Sequence, residues 1–113
     1  MLIYVASRYG KDSDSLKRAI KVTHDLQIKD LVNCYISPVL AFSHLDCREI
    51  DYDAEMELRL DLLSIADRLI IVDKISEGIR TELDFAKLVK MEVMELDENG
   101  KLQPFTERVG KFD

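Results

Sequence analysis

The sequence predicts an α/β domain built on a mostly parallel sheet of four to five strands. Short apolar runs alternate along the chain with amphipathic stretches of helical period. The runs Leu2–Ala6 and Arg68–Asp73 are apolar almost throughout, as strands buried on both faces are. The chain has 113 residues, which fits one domain and leaves no space for two, so residues 1–113 are read as a single unit.

Leu2–Ala6 is the first strand, followed by Ser7, Arg8, Tyr9 and Gly10. Ser13 or Asp12 can cap a helix that runs to about Asp30, with Leu16, Ala19, Ile20, Thr23 and Leu26 as its buried stripe. Asn33–Pro38 reads as the second strand, ended by Pro38, which cannot donate to a ladder. Val39 to Ile50 reads as a long loop carrying His44, and long loops in compact domains are often functional. Asp51 or Asp53 opens a helix to about Ala66, whose charges Glu55, Glu57, Arg59 and Asp61 read as a solvated face. Arg68–Asp73 is the central strand, Gly78 a break after it, and Ile79–Lys90 the next helix. Glu92–Leu96 is a fourth parallel strand. Asp97-Glu98-Asn99-Gly100 signals a tight turn, after which Lys101–Phe105 returns antiparallel.

Composition narrows the function. Hydrophobic residues make up 47% and charged residues 34%, enough for a core and a solvated surface. A net charge of −6 argues against a nucleic-acid polymer as partner, because contact with its backbone needs a Lys/Arg surface. A small anion needs only a few local donors and stays open. Cys34 and Cys47 have neither metal-like nor redox spacing; they are read as small buried hydrophobes in a reducing compartment. MLIYVAS lacks a basic n-region and reads as a strand, and no apolar run reaches membrane-span length. A cytoplasmic protein is expected, and its small size favours a homodimer or larger assembly.

Parallel α/β sheets place ligands at the carboxyl ends of their strands, near a switch in strand order. Three segments fall there: Ser7–Gly10, the loop after Pro38, and Lys74–Gly78. On a wheel at about 100° per residue, Ile79, Leu83, Phe85, Ala86 and Val89 share one arc, and Glu82 falls inside it. A carboxylate on a buried face needs a reason, because an unpaired buried charge is costly. Glu82 reads either as a nucleophile or base at a pocket, or as a first-turn acid that complements the helix dipole. Ser76 and Gly78 are either a phosphate-binding helix start or an ordinary cap and turn. Ser7 and Arg8 are a phosphate contact or a solvated loop. Tyr4 orients a carboxylate or packs with a wet tip, and His44 contacts ligand or is merely exposed. Asp67 caps a turn.

Together these pieces resemble the nucleoside 2-deoxyribosyltransferase-like superfamily. The resemblance is carried by Ile3-Tyr4-Val5-Ala6-Ser7, Ser37-Pro38, Asp67–Val72, and above all Ile75-Ser76-Glu77-Gly78-Ile79-Arg80-Thr81-Glu82 with Ala86. It covers about residues 2–96 and looks closest to small bacterial and phage members. It implies a flavodoxin-like (Rossmann-like) three-layer sandwich, a dimer or larger oligomer, and no metal or organic cofactor. By resemblance Glu82 is the glutamate that attacks the anomeric carbon of a 2′-deoxynucleoside, and Tyr4 the tyrosine that orients it. The transferases carry an acid where this chain has Ser76. The branch that hydrolyses 2′-deoxynucleoside 5′-monophosphates has serine there, and it uses serine and arginine near the first strand, as Ser7 and Arg8 stand here. An acid usual eight residues before Asp67 is Arg59 in this chain. The reading is therefore an N-glycosidase or deoxyribosyltransferase with Glu82 and Tyr4 catalytic and Ser7, Arg8, Ser76, Gly78 and His44 binding substrate. The rival readings are a nucleotide-binding module that uses the same pocket without turnover, and a structural subunit in which Glu82 only caps its helix.

Overall fold

The computed structural model describes residues 1–8, 13–45 and 49–106. They form a five-stranded sheet in the order β2-β1-β3-β4-β5, with β1 (Leu2–Ala6), β2 (Cys34–Ile36), β3 (Arg68–Ile71) and β4 (Glu92–Leu96) parallel and β5 (Leu102–Pro104) antiparallel to β4. Four helices accompany it: α1 (Ser13–Lys29), α2 (Pro38–Ala41), α3 (Tyr52–Ser64) and α4 (Glu77–Leu88). The architecture is α/β with a mostly parallel sheet, compatible with a Rossmann-like fold.

The period of two along β1 divides the core. Tyr4 and Ala6 join Leu69 and Ile71 of β3, Leu63 of α3, and Ile79, Leu83 and Ala86 of α4. Ile3 and Val5 face the other way, with Ile70, Tyr35 and Leu26 of α1. Both faces of β1 and β3 are therefore buried, which is why these strands read as unbroken apolar runs. Asp67 fixes their register: its Oδ2 accepts the Leu2 backbone N–H at 2.7 Å.

Several local expectations change. In α1 the buried residues are Ala19, Thr23 and Leu26, while Ile20 is 48% exposed. Ile20 lies about 100° round the wheel from Ala19, past the edge of the contact with the sheet. The second strand stops at Ile36. Pro38 starts α2 instead of ending a strand, because Ser37 Oγ accepts the Leu40 N–H and proline suits the first helical position. The first part of the expected 39–50 loop is thus helical, and residues 46–48, with Cys47, lie outside the described residues. Cys34 is exposed on β2, at the end of the sheet order, and is not a core residue.

Gly78 does not break the chain. It sits in the first turn of α4, which Ser76 caps by accepting the Ile79 N–H at 3.3 Å. The other end of α4 comes two residues sooner than Lys90, whose φ of 60° stops the helix while the Met91 N–H bonds back to the Ala86 carbonyl at 2.8 Å. The return turn forms as read. Asp97 Oδ1 accepts the N–H groups of Asn99 and Lys101, and Gly100 takes a φ of 79°.

Candidate active site

The strand order turns back on itself between β1 and β3, so the crevice beyond their carboxyl ends is where such a sheet takes ligands. Asp73 ties this crevice together. Its Oδ2 accepts the Arg8 backbone N–H at 2.7 Å, and its Oδ1 accepts Nε of Arg18 on α1 at 2.9 Å. The post-β1 and post-β3 segments and α1 are thereby held as one unit. Sequence reasoning passed over Asp73 and Arg18, although an aspartate directly after an apolar central strand is a signal of its own.

A cavity of about 260 Å³ opens beside the crevice. Arg8 lines it from the end of β1, Tyr52, Glu55, Met56 and Arg59 from α3, and Ser76, Glu77 and Gly78 from the start of α4. Three of the expected binding residues therefore meet: Arg8, Ser76 and Gly78. His44 is exposed on the segment after α2 and is not among the lining residues. Ser7 is buried, its Oγ without a hydrogen-bond partner, and it too is absent from the lining.

Glu82 and Tyr4 are brought together, but not on the cavity wall. Both are 0% exposed, and the Tyr4 hydroxyl donates to Glu82 Oε2 across 78 residues of sequence. Tyr4, Glu82 and Ser76 do not line one pocket as expected: Ser76 lines the cavity, while the buried pair is not among its lining residues. Glu82 lies one helical turn beyond Gly78 on the same face of α4, because residues four apart stack. Its Oε1 is buried with no hydrogen-bond partner.

The electrostatics follow from this burial. Desolvation raises the Glu82 pKa above its ordinary 4.5, opposed by the Tyr4 hydrogen bond and the Arg59 charge. Desolvation, then the nearby Glu82, raises Tyr4 well above 10.0, so Tyr4 stays a protonated donor at neutral pH. At the cavity, desolvation and then Glu77 also raise Tyr52.

The α3 helix corrects another expectation. Glu57 and Asp61 are solvated, but Glu55 and Arg59 are 5% and 3% exposed and share the buried stripe with Met56 and Leu63. Arg59 Nε lies 3.6 Å from Glu55 Oε1. Charged residues do not register in an apolar periodicity, yet 55, 59 and 63 are spaced at helical four-residue steps toward α4. Among the described residues, no group of three or more His, Cys, Asp or Glu side chains is arranged to hold a metal ion.

Gly78 has an ordinary φ, so its backbone does not demand glycine. A Cβ there would point at Tyr52 Oη and Met56 Cε, each 3.6 Å away, and so into the cavity mouth. Gly78→Ala is expected to stabilise the fold by about 0.4–1 kcal/mol through the unfolded chain while weakening ligand binding. Thermal melts and ligand titrations of the variant check this. Lower stability together with unchanged binding would contradict it.

No protein-family model matches the chain, and no curated protein matches it in sequence.

Proposed function

We propose that the protein is an N-glycosidase or deoxyribosyltransferase acting on a 2′-deoxynucleoside or its 5′-monophosphate, with Glu82 as nucleophile. The observation that carries this reading is the buried Tyr4–Glu82 pair beside the cavity. One carboxylate oxygen is held by a hydroxyl and the other is unengaged. Breaking an N-glycosidic bond develops positive charge at the anomeric carbon, which a desolvated carboxylate can stabilise or trap. A flavodoxin-like, three-layer arrangement of the nucleoside 2-deoxyribosyltransferase type accommodates such a site, and the strand order 2-1-3-4-5 supports it.

The test is base release, read by chromatography, from a set of deoxynucleosides and their 5′-monophosphates. Monophosphates should be preferred. The lining charges, Arg8 and Arg59 against Glu55 and Glu77, cancel, and Arg59 is engaged by Glu55. Arg8, the Ser76 hydroxyl and the start of the twelve-residue helix α4 are left to meet a phosphate. A charged hydrogen bond contributes roughly 1.5–3 kcal/mol, or about tenfold to a hundredfold in affinity. Arg8→Ala and Ser76→Asp should erase the preference. Equal affinities in the wild type would remove the phosphate from this reading.

A second reading is a nucleotide-binding module that holds its ligand without cleaving it. It is favoured by the complete burial of Glu82 and by arginine at position 59. Binding without base release would select it.

We place the protein in the cytoplasm as a homodimer or larger assembly. Among the described residues no helix is long and apolar enough to cross a membrane. Ile65 and Leu88, at the ends of α3 and α4, expose apolar surface that supports self-association. Light scattering should give a particle larger than the 13.0 kDa chain, and a monomer at high concentration would refute the assembly.

A further inference from the structure

We propose that Glu55 is the general base of the second half of the reaction, the group that takes the proton from the water that releases the sugar from Glu82. The inference rests on the reading of Glu82 as nucleophile. Three observations carry it. Glu55 is 5% exposed, yet its side chain forms part of the cavity wall. Its Oε1 is buried without a hydrogen-bond partner, so an acceptor at the cavity stands ready for a donor. Arg59 Nε lies 3.6 Å from that oxygen, too far for a good hydrogen bond, so the arginine leaves it open to a donor from the cavity.

The other acids of α3, Asp53, Glu57 and Asp61, are exposed, so Glu55 is the acid this helix turns inward. The packing of Leu63 with Ile79 and Leu83 sets α3 against α4, so Glu55 and Glu82 come from facing helices. The Arg59 charge acts on Glu82 as well as pairing with Glu55.

The steps balance. A Glu82 carboxylate oxygen bonds to C1′ as the C1′–N bond breaks, and the bonding pair leaves on the base nitrogen. A water oxygen then bonds to C1′, the ester bond to Glu82 breaks with its pair returning to the carboxylate, and Glu55 accepts the water proton. That proton passes to the base nitrogen, which restores both carboxylates.

The experiment is rapid-quench base release with intact-protein mass, on the full chain and a 2′-deoxynucleoside 5′-monophosphate. Glu55→Gln is expected to release about one base per site in a burst. It should then turn over roughly 10²–10⁴-fold more slowly than the wild type, with a sugar adduct accumulating. Azide, a nucleophile that needs no base, should speed that slow phase. A folded Glu55→Gln that turns over at the wild-type rate, or gives no burst, overturns the assignment. Should Glu55→Gln not fold, Glu55→Ala, which also removes the carboxylate, must show the same burst and slow phase; a single fast phase overturns the assignment. Absence of base release from the wild type is a separate outcome: it removes the Glu82 reading and this inference with it.

Discussion

Glu82→Gln is expected to fold as the wild type does and to lose base release by at least about 10³-fold. Loss of an attacking group takes this scale because no neighbour replaces its bond to carbon. Glutamine is nearly isosteric, and its amide oxygen can still accept from the Tyr4 hydroxyl, which donates to Glu82 Oε2 in the structure. The change therefore removes charge and nucleophilicity while keeping the packing against the apolar residues around Tyr4. Circular dichroism and a thermal melt establish the fold, and chromatography of free base gives the rate. A folded variant with wild-type release would show that Glu82 is not the nucleophile.

The second large effect is on stability and separates function from folding. Tyr4→Phe leaves the buried Glu82 Oε2 without its donor, and should cost about 1–3 kcal/mol. Replacing both partners, as Tyr4→Phe with Glu82→Leu, removes the buried polar groups together and should leave the protein at least as stable as the wild type. Denaturant melts of the two single variants and the double variant form the cycle. A double variant less stable than either single one would show that the pair serves the fold.

The pH dependence has a definite sign. Burial raises Glu82 above 4.5 in the folded state. Between the unfolded and folded pKa values the folded chain holds more protons, so the stability from this group is full below the unfolded pKa. It is lost as pH rises through the folded one. The stability difference between wild type and Glu82→Gln should therefore shift against the wild type as pH climbs from about 4.5. A difference independent of pH would contradict the burial of a titrating carboxylate.

The sequence foretold much of this because strand burial writes itself directly into composition. Leu2–Ala6 and Leu69–Ile71 are apolar on both faces, which leaves little alternative to central parallel strands. Glu82 was visible as a polar residue inside an apolar arc, and its burial is complete. The contact with Tyr4 was not visible in periodicity, since it joins residues 78 apart. Glu55 and Arg59 were misread as solvated because each compensates the other's charge, and pairwise compensation leaves no hydrophobic signature. Asp73 was passed over because its partners, Arg18 on α1 and the Arg8 N–H, are distant in sequence. The Ser37 cap turned Pro38 from a strand terminator into a helix start, a choice made by one hydroxyl rather than by the proline alone.

The most direct test of Glu82 as nucleophile is peptide mapping of the protein quenched during turnover of a 2′-deoxynucleoside 5′-monophosphate. The expected result is a sugar adduct on the peptide that contains Glu82, absent from Glu82→Gln. An adduct on a different residue, or base release with no adduct in the wild type and in Glu55→Gln alike, would contradict the account.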